Sequence, residues 1–150
     1  MAQLREMPYP GINFLVDLGT GASDAATAGL MQVQLPDARI DVLEYRNGSD
    51  KASHPRQLHA LSRYTPLILR RGLIGSLDWY DWWNQLRNGD VTAKRNITLQ
   101  LLSEDRSEVV MTWRFRNARP SNWHVSTFDA LNASTLIETL EVVVERMEVE

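Results

Sequence analysis

Residues Thr65 to Asp90 read TPLILRRGLIGSLDWYDWWNQLRNGD, and this stretch decides the fold that we predict for the chain. It begins as a short apolar strand that ends at Arg70-Arg71-Gly72. It continues into one compact helix, predicted at about residues 76–87, which holds three of the chain's five tryptophans. No other segment has so clear a helical spacing of apolar residues, so we expect the remainder to be mainly β.

The ends of the predicted helix carry typical start and stop signals. Ser76 suits the N-cap, where a hydroxyl accepts a hydrogen bond from a free backbone N–H of the first turn. Asp78 and Asp81 suit the positive end of the helix dipole, and Arg87 suits the negative end. Gly89 supplies the left-handed conformation that commonly ends a helix. These signals delimit a single short helix.

Trp79, Trp82, Trp83 and Leu86 recur at helical spacing and form one apolar stripe. The simpler interpretation is that this stripe covers the open side of a β-sheet core. A second interpretation is that part of it contacts a neighbouring subunit, because tryptophan is enriched at such contacts. A surface for stacking sugars or bases is a third.

Strand patterns and turn signals alternate between the N-terminus and this stretch. A Gly/Ala/Ser/Thr-rich connection, predicted to be mobile, separates the first two strands. A polar segment then follows the third strand and is predicted to be a long loop or an extended hairpin tip. In chain order these are the strand Ile12–Leu18, the connection Gly19–Ala28, the strand Leu30–Leu35, the strand around Ile40, Val42 and Tyr45, and the loop at 47–57.

Beyond the helix, the strongest signal is a hairpin of two strands with alternating apolar residues, Ile97–Leu101 and Val109–Phe115. A bend at Asn117–Ser121 follows, and Trp123–Val125 is predicted to start another strand. The last sixteen residues have helix formers, yet the run Val142-Val143-Val144 favours a strand, and we predict a strand there.

Composition sets the general class of protein. A chain of 150 residues is long enough for one domain, which we predict to span residues 1–150. The net charge of −3 argues against general attraction to nucleic acids or anionic membranes. There is no cysteine, which excludes disulfides and thiol chemistry. No signal peptide or membrane-spanning run is recognisable, so we predict a protein made in the cytoplasm, without direct insertion into a membrane.

A search for catalytic chemistry finds no coherent set of residues. His54, His59 and His124 are scattered and have no metal-binding spacing. No nucleophile elbow, Walker loop or dinucleotide fingerprint occurs. We therefore predict no catalytic, cofactor-binding or metal-binding residues, no cofactor, and no enzymatic activity.

An ordered set of segments resembles the tail-tube family of contractile phages and phage-like contractile injection systems, which is related in fold to the type VI secretion tube. The resemblance covers about four fifths of the chain. The C-terminal match favours a strand at that end. The matching segments are Asn13–Asp17, Glu44–Gly48, Thr65–Gly72, Leu77–Gly89, Arg95–Leu99, Trp113–Pro120 and Ile137–Glu141.

The resemblance implies a mainly β fold: two packed antiparallel sheets forming a small barrel or sandwich with the helix alongside. It further implies hexameric rings that stack into a hollow tube, driven by contraction of a surrounding sheath. The implied partners are the protein itself, the sheath protein, baseplate or tube-initiator proteins, cap proteins and cargo in the lumen, with no specific nucleic acid. The protein would act in an assembled phage-tail-like particle that can be released from the cell.

The resemblance also suggests which residues contact neighbouring subunits or rings. These are mostly in the polar loop, with additions from the Arg-Arg pair and the tryptophan stripe. The predicted contact residues are Tyr45, Arg46, Asn47, Gly48, Ser49, Asp50, Lys51, His54, Arg56, Arg70, Arg71, Trp79 and Trp82. Two alternatives stay open: a baseplate-proximal tube initiator of the same particle, and a small ligand-binding β-barrel.

Overall fold

The fold is described from a computed structural model, which covers residues 1–19 and 29–150. The described residues form nine strands and one helix. In chain order they are β1 (Phe14–Asp17), β2 (Gln32–Gln34), β3 (Ala38–Tyr45), β4 (Arg56–Tyr64), β5 (Leu67–Gly72), α1 (Asp78–Arg87), β6 (Arg95–Leu102), β7 (Val109–Val125), β8 (Ile137–Val143) and β9 (Arg146–Val149). The mainly β prediction with one helix is confirmed, whereas nearly all of the predicted connection Gly19–Ala28 lies outside the described residues.

Seven strands form one antiparallel sheet in the order β1-β6-β7-β8-β5-β2, with β9 also paired to β7. The long strand β7 belongs to two halves of this sheet. Its first part pairs with β6 and β9, and its last part, from Arg119, pairs with β8. Strands β3 and β4 form a separate two-stranded sheet. Within residues 1–19 and 29–150 neither sheet closes on itself, so of the predicted barrel or sandwich the closed barrel is not formed and the arrangement is open.

The bend that was predicted at Asn117–Ser121 does not end a strand. Asn117 takes a positive φ of 52°, and the register of pairing shifts between Pro120 and Asn122. Such irregularities bend a strand and increase its twist without breaking it. Strand β7 therefore runs continuously through the bend, and the strand expected to start at Trp123 is its last part.

The core lies between the two halves of the large sheet and under the helix. Period-two alternation places Leu67, Leu69, Leu140 and Val142 on the same inner face, and all are fully buried. Phe115, from the other half, joins the same cluster. The alternation that predicted the β6–β7 hairpin identified Phe115 correctly, but at the start of β7 the buried residues are Val110 and Thr112, whereas Val109 is 40% exposed.

The helix begins at Asp78, two residues later than predicted, and Leu77 rather than Ser76 is the N-cap. Ser76 instead donates a hydrogen bond from its hydroxyl to the Asp78 carboxylate at 2.8 Å. The helix ends as expected: Asn88 is the C-cap, and Gly89 has a φ of 90°, which a side-chain-bearing residue rarely adopts. The predicted N-cap is wrong by one residue because the helix begins at Asp78, although the Ser76 hydroxyl still accepts a long hydrogen bond of 3.5 Å from the Asp78 backbone N–H.

Candidate subunit interface

The tryptophan stripe of the helix lies inside the subunit. Trp79 and Trp82 are each only 1% exposed. The indole Nε1 of Trp82 donates to the Ala93 carbonyl at 2.8 Å, which fixes the ring beneath the segment that follows the helix. Neither side chain is available to a neighbouring subunit, so the predicted contact role of Trp79 and Trp82 is wrong. The interpretation of the stripe as a cover for the sheet core is the one that the structure supports.

Arg71 is also buried, and it anchors the helix to the sheet. Its Nε donates to the Glu138 carboxylate on β8 at 2.9 Å, and a terminal nitrogen reaches Asp78 at 2.5 Å. The guanidinium lies over the Trp79 ring, 4.0 Å from its centre. Trp123 Nε1 donates to the other Glu138 oxygen at 2.8 Å. Because Arg71 is 1% exposed, its predicted role in subunit contact is wrong and its role is internal.

The Asp78 carboxylate has a lowered pKa. Partial burial acts to raise this pKa, but hydrogen bonds from Arg71 and Ser76 and the nearby guanidinium charge outweigh it. A carboxyl with a depressed pKa in the folded state stabilises the protein above its unfolded pKa, and the contribution is lost as pH falls through the folded value. The acid-sensitive window therefore lies below about pH 4, the ordinary aspartate value.

We expect Asp78→Asn to destabilise the protein at neutral pH and to flatten its loss of stability on acidification. The free energies of unfolding of the variant and of the unmodified protein should converge as the pH falls below about 4 and the original carboxyl becomes protonated. Urea unfolding at a series of pH values measures this. The control is Asp81→Asn, an exposed carboxyl in the same helical turn. Parallel pH profiles for Asp78→Asn and the unmodified protein would contradict the expectation.

Strands β3 and β4 form a hairpin with little support from the rest of the subunit. Almost all of its residues are exposed, and neither strand packs extensively on another element. Leu43 stands directly opposite Leu58, and these side chains are 58% and 52% exposed. An isolated two-stranded hairpin is marginally stable in water, and cross-strand apolar pairs normally require a covering surface. The hairpin is therefore a strong candidate for contact with another molecule.

The end of this hairpin is an ordered turn. Arg46 donates from Nε to the Ala52 carbonyl at 3.1 Å and from a terminal nitrogen to the Asp50 carbonyl at 3.0 Å. The Asp50 carboxylate accepts from the Asn47 backbone N–H at 3.1 Å and lies 3.5 Å from an Arg56 nitrogen. The tip thus holds its shape through its own side chains.

The structure brings most of the predicted contact residues together at this tip, between the end of β3 and the start of β4. Arg70 stands apart on the outer face of β5, where it donates to Gln32 at 3.2 Å. Sequence reasoning missed β4 and the apolar residues of the hairpin stem, Leu43, Leu58 and Leu61. The predicted loop at 47–57 overlaps β4 by two residues. The tip residues that the structure gathers at the hairpin end are Tyr45, Arg46, Asn47, Gly48, Ser49, Asp50, Lys51, His54 and Arg56.

A second feature is an apolar groove at the open side of the large sheet. It has a volume of about 290 Å³ and lies between β1 and β2, the outermost strands of the two halves. Strands β6 and β7 form its floor. None of its lining residues is ionisable: Gly11, Phe14, Met31, Gln32, Val33, Leu35, Leu99, Leu101 and Trp113.

A third feature is an apolar hollow of about 610 Å³ beside the start of the helix. It is lined by Leu73, Leu77, Tyr80, Trp123 and Phe128, and Glu138 is also among its lining residues. Among the described residues there is no group of three acidic or histidine side chains placed to hold a metal ion. In the same part of the chain, no helix has the length and apolarity to cross a membrane.

Comparison with known families and structures gives a consistent result. The family model described as T4-like virus tail tube protein gp19 matches residues 10–148. A chain in the cryo-EM structure of the extracellular contractile injection system PVC, its sheath–tube complex in the extended state, is 26% identical with a TM-score of 0.82. The match covers 97% of this chain and 93% of that one.

Two more distant structures share the fold. A chain in the cryo-EM structure of the anti-feeding prophage cap, the AFP tube terminating cap, is 22% identical with a TM-score of 0.82, covering 100% of this chain and 95% of that one. Hcp1 from Flavobacterium johnsoniae is 12% identical with a TM-score of 0.52, and the match covers 91% of this chain and 93% of that one. No curated protein sequence matches the chain.

Proposed function

Because the chain belongs to the T4-like virus tail tube protein gp19 family, we propose that it is an inner-tube subunit of a phage-tail-like contractile injection particle. In this proposal the subunits form hexameric rings, and the rings stack into a hollow conduit for cargo. The observation that carries it is the family match over residues 10–148, together with near-complete overlap with a chain of the PVC sheath–tube complex. The protein's role is structural, and any catalysis belongs to other components of the particle.

The open sheet is consistent with assembly into a ring. Within the described ranges, β1 and β2 each pair with one strand only, and the β3–β4 hairpin has no covering element. Exposed strand edges and apolar hairpins favour association, and a closed ring lets each copy protect its neighbour. A monomer would leave these surfaces in water.

The proposed partners follow from the particles in which similar chains are found. The PVC matches come from a sheath–tube complex and a sheath/tube terminator, and the AFP matches come from a cap and a baseplate. We assign to this chain contacts with its own copies, with a sheath whose contraction propels the tube, and with baseplate and cap proteins at the ends. Cargo would occupy the lumen of the particle.

Of the alternatives, a baseplate-proximal tube initiator would share the same fold and ring contacts. It differs in needing a baseplate protein before it forms a ring, whereas a main tube subunit polymerises with itself. A small ligand-binding β-barrel finds no support, because the sheets do not close within the described residues and the sheet core is filled with apolar side chains.

Electron microscopy of the purified protein tests the proposal. We expect rings with six-fold symmetry and, at higher concentration, stacked tubes with a central channel. Rings that appear only after addition of a baseplate protein would favour the initiator. A protein that remains monomeric at high concentration, with and without sheath and baseplate partners, would contradict both assignments.

Replacing the ordered tip by a two-residue turn separates ring formation from ring stacking. We expect substitution of residues 46–55 by Asn-Gly to leave β3 and β4 paired, since this dipeptide suits a two-residue hairpin. We assign the contact between stacked rings to the tip, so rings should persist while tubes are lost. Tube length in micrographs is the measurement. The control is Lys51→Gln, a substitution at an exposed residue that keeps the length of the tip. Tubes of normal length in the shortened variant would show that the tip does not form the contact between rings.

A further inference from the structure

The stem of the β3–β4 hairpin carries an apolar surface that its own subunit does not cover. The pair Leu43 and Leu58 lies on one face of the ribbon, and Leu61, 67% exposed, follows on the same strand. Arg63 and Asp41 form an ion pair on the stem at 2.5 Å, whereas its apolar side chains, which also include Ile40 and Val42, are exposed. The surface to be explained is therefore defined by Leu43, Leu58 and Leu61, and we call it the stem patch.

The apolar groove between β1 and β2 is complementary to the stem patch. Its lining has no ionisable group, so an apolar side chain entering it would leave no charge without a partner. It is also bordered by two strands that, in the part of the chain that the structure describes, have no second neighbour. An extended ribbon can pair with such an edge while its side chains fill the adjacent groove.

The stem patch of a subunit does not occupy that subunit's own groove. Leu35 is at the groove rim, and the hairpin leaves from Ala38, three residues later. Leu43 is five residues further along an extended strand, roughly 16 Å from the hairpin base at about 3.3 Å per residue. The leucines remain more than half exposed, so they contact the solvent rather than the groove. Only a second copy can bring the two surfaces together.

We infer that the stem patch of each copy docks into the β1–β2 groove of the next copy in the ring. This inference rests on the proposed tube function and identifies the receiving surface of the subunit contact. The contact is head-to-tail, and such contacts generate a ring when the rotation between copies closes. The hollow beside the helix is less suitable, because the ionisable residue Glu138 is among its lining residues and the start of the helix forms part of its wall.

Cross-linking tests the assignment directly, because the chain has no cysteine of its own. Leu43→Cys is combined with Met31→Cys, a half-exposed position at the groove, and treated with a short bis-maleimide. We expect covalent multimers up to six copies in a denaturing gel. Leu43→Cys with Leu77→Cys, which places the second thiol at the helix hollow, should remain monomeric. Multimers from the Leu77 pair and none from the Met31 pair would overturn the inference.

A charge in the groove provides the second test. Met31→Asp should raise the concentration needed for ring formation by about tenfold or more. The reason is that one carboxylate buried without a partner in the contact lowers the association constant at least about tenfold. Met7→Asp, at a methionine outside the groove that is 75% exposed against 56% for Met31, should have no effect. A circular dichroism spectrum equal to that of the unmodified protein would show that a variant folds. If Met31→Asp does not fold, Leu35→Asp repeats the test at another residue of the groove.

The two proposals fail in different ways. If the unmodified protein forms rings but Met31→Asp assembles equally well and the Met31 pair does not cross-link, the groove is not the receiving surface and the tube function stands. If the unmodified protein forms no rings under any condition, the tube function and the docking of the stem patch fail together.

Discussion

Replacing Arg71 by methionine should lower the free energy of unfolding by about 3–5 kcal/mol. The substitution leaves the Glu138 carboxylate, 1% exposed, without its guanidinium partner while Trp123 still donates to it. It also removes the ion pair that holds the first residue of the helix. Domains are stable by only about 5–15 kcal/mol, so the variant would be close to unfolding. Urea titration followed by tryptophan fluorescence measures the change.

Two controls separate loss of a buried partner from loss of a charge. Arg114→Met breaks an exposed ion pair with Glu150 and should cost about 0–1 kcal/mol. Arg71→Met combined with Glu138→Leu removes both buried charges and should be clearly more stable than Arg71→Met alone. An Arg71→Met variant that loses no more stability than Arg114→Met would show that the network does not anchor the helix.

The elements predicted best from the sequence are those with one buried face. The β6–β7 hairpin was recognisable from its alternation of apolar and polar residues, and β5 from a short apolar run that ends at Arg70-Arg71-Gly72. The helix was recognisable for the same reason, since its tryptophans recur on the buried side. Helix propensity alone would have misassigned the C-terminal segment, where β-branched valines and the family resemblance indicated a strand.

The parts that were missed lack such a pattern. Strand β4 is exposed on both faces, so its apolar residues follow no period and the segment resembled a loop. Arg71 was predicted to contact a neighbouring subunit, whereas it is buried and its partner Glu138 is 67 residues away in the sequence. Pairings across that distance depend on the order of strands in the sheet, which local patterns do not determine.

Of the candidate interface, the tip was predicted from the sequence and the stem patch was not. The tip residues are contiguous, so one polar segment identified them together. The stem patch depends on the register that places Leu43 opposite Leu58. Neither residue is unusual in the sequence, and surface leucines occur singly in most proteins. Their meaning comes from being paired on a ribbon that no other element among residues 1–19 and 29–150 covers.

Charging the stem patch should abolish assembly without unfolding the subunit. We expect Leu43→Asp combined with Leu58→Asp to weaken each subunit contact by about 10²–10⁴-fold. Full burial of one leucine contributes about 1.5–3 kcal/mol, and each 1.4 kcal/mol changes an equilibrium constant tenfold. Two aspartates directly opposite each other add repulsion across the strands. Sedimentation velocity should show a monomer at concentrations where the unmodified protein forms rings.

The matched control is Leu4→Asp combined with Val91→Asp, which adds the same charge at two exposed apolar positions outside the hairpin and the groove. This control should assemble, which would exclude net charge as the cause of the defect. Both double variants should unfold at nearly the same urea concentration as the unmodified protein, because the hairpin contributes little to the core. Rings of normal size from the Leu43 and Leu58 variant would show that the exposed hairpin stem, despite its uncovered leucines, is not the surface through which subunits join.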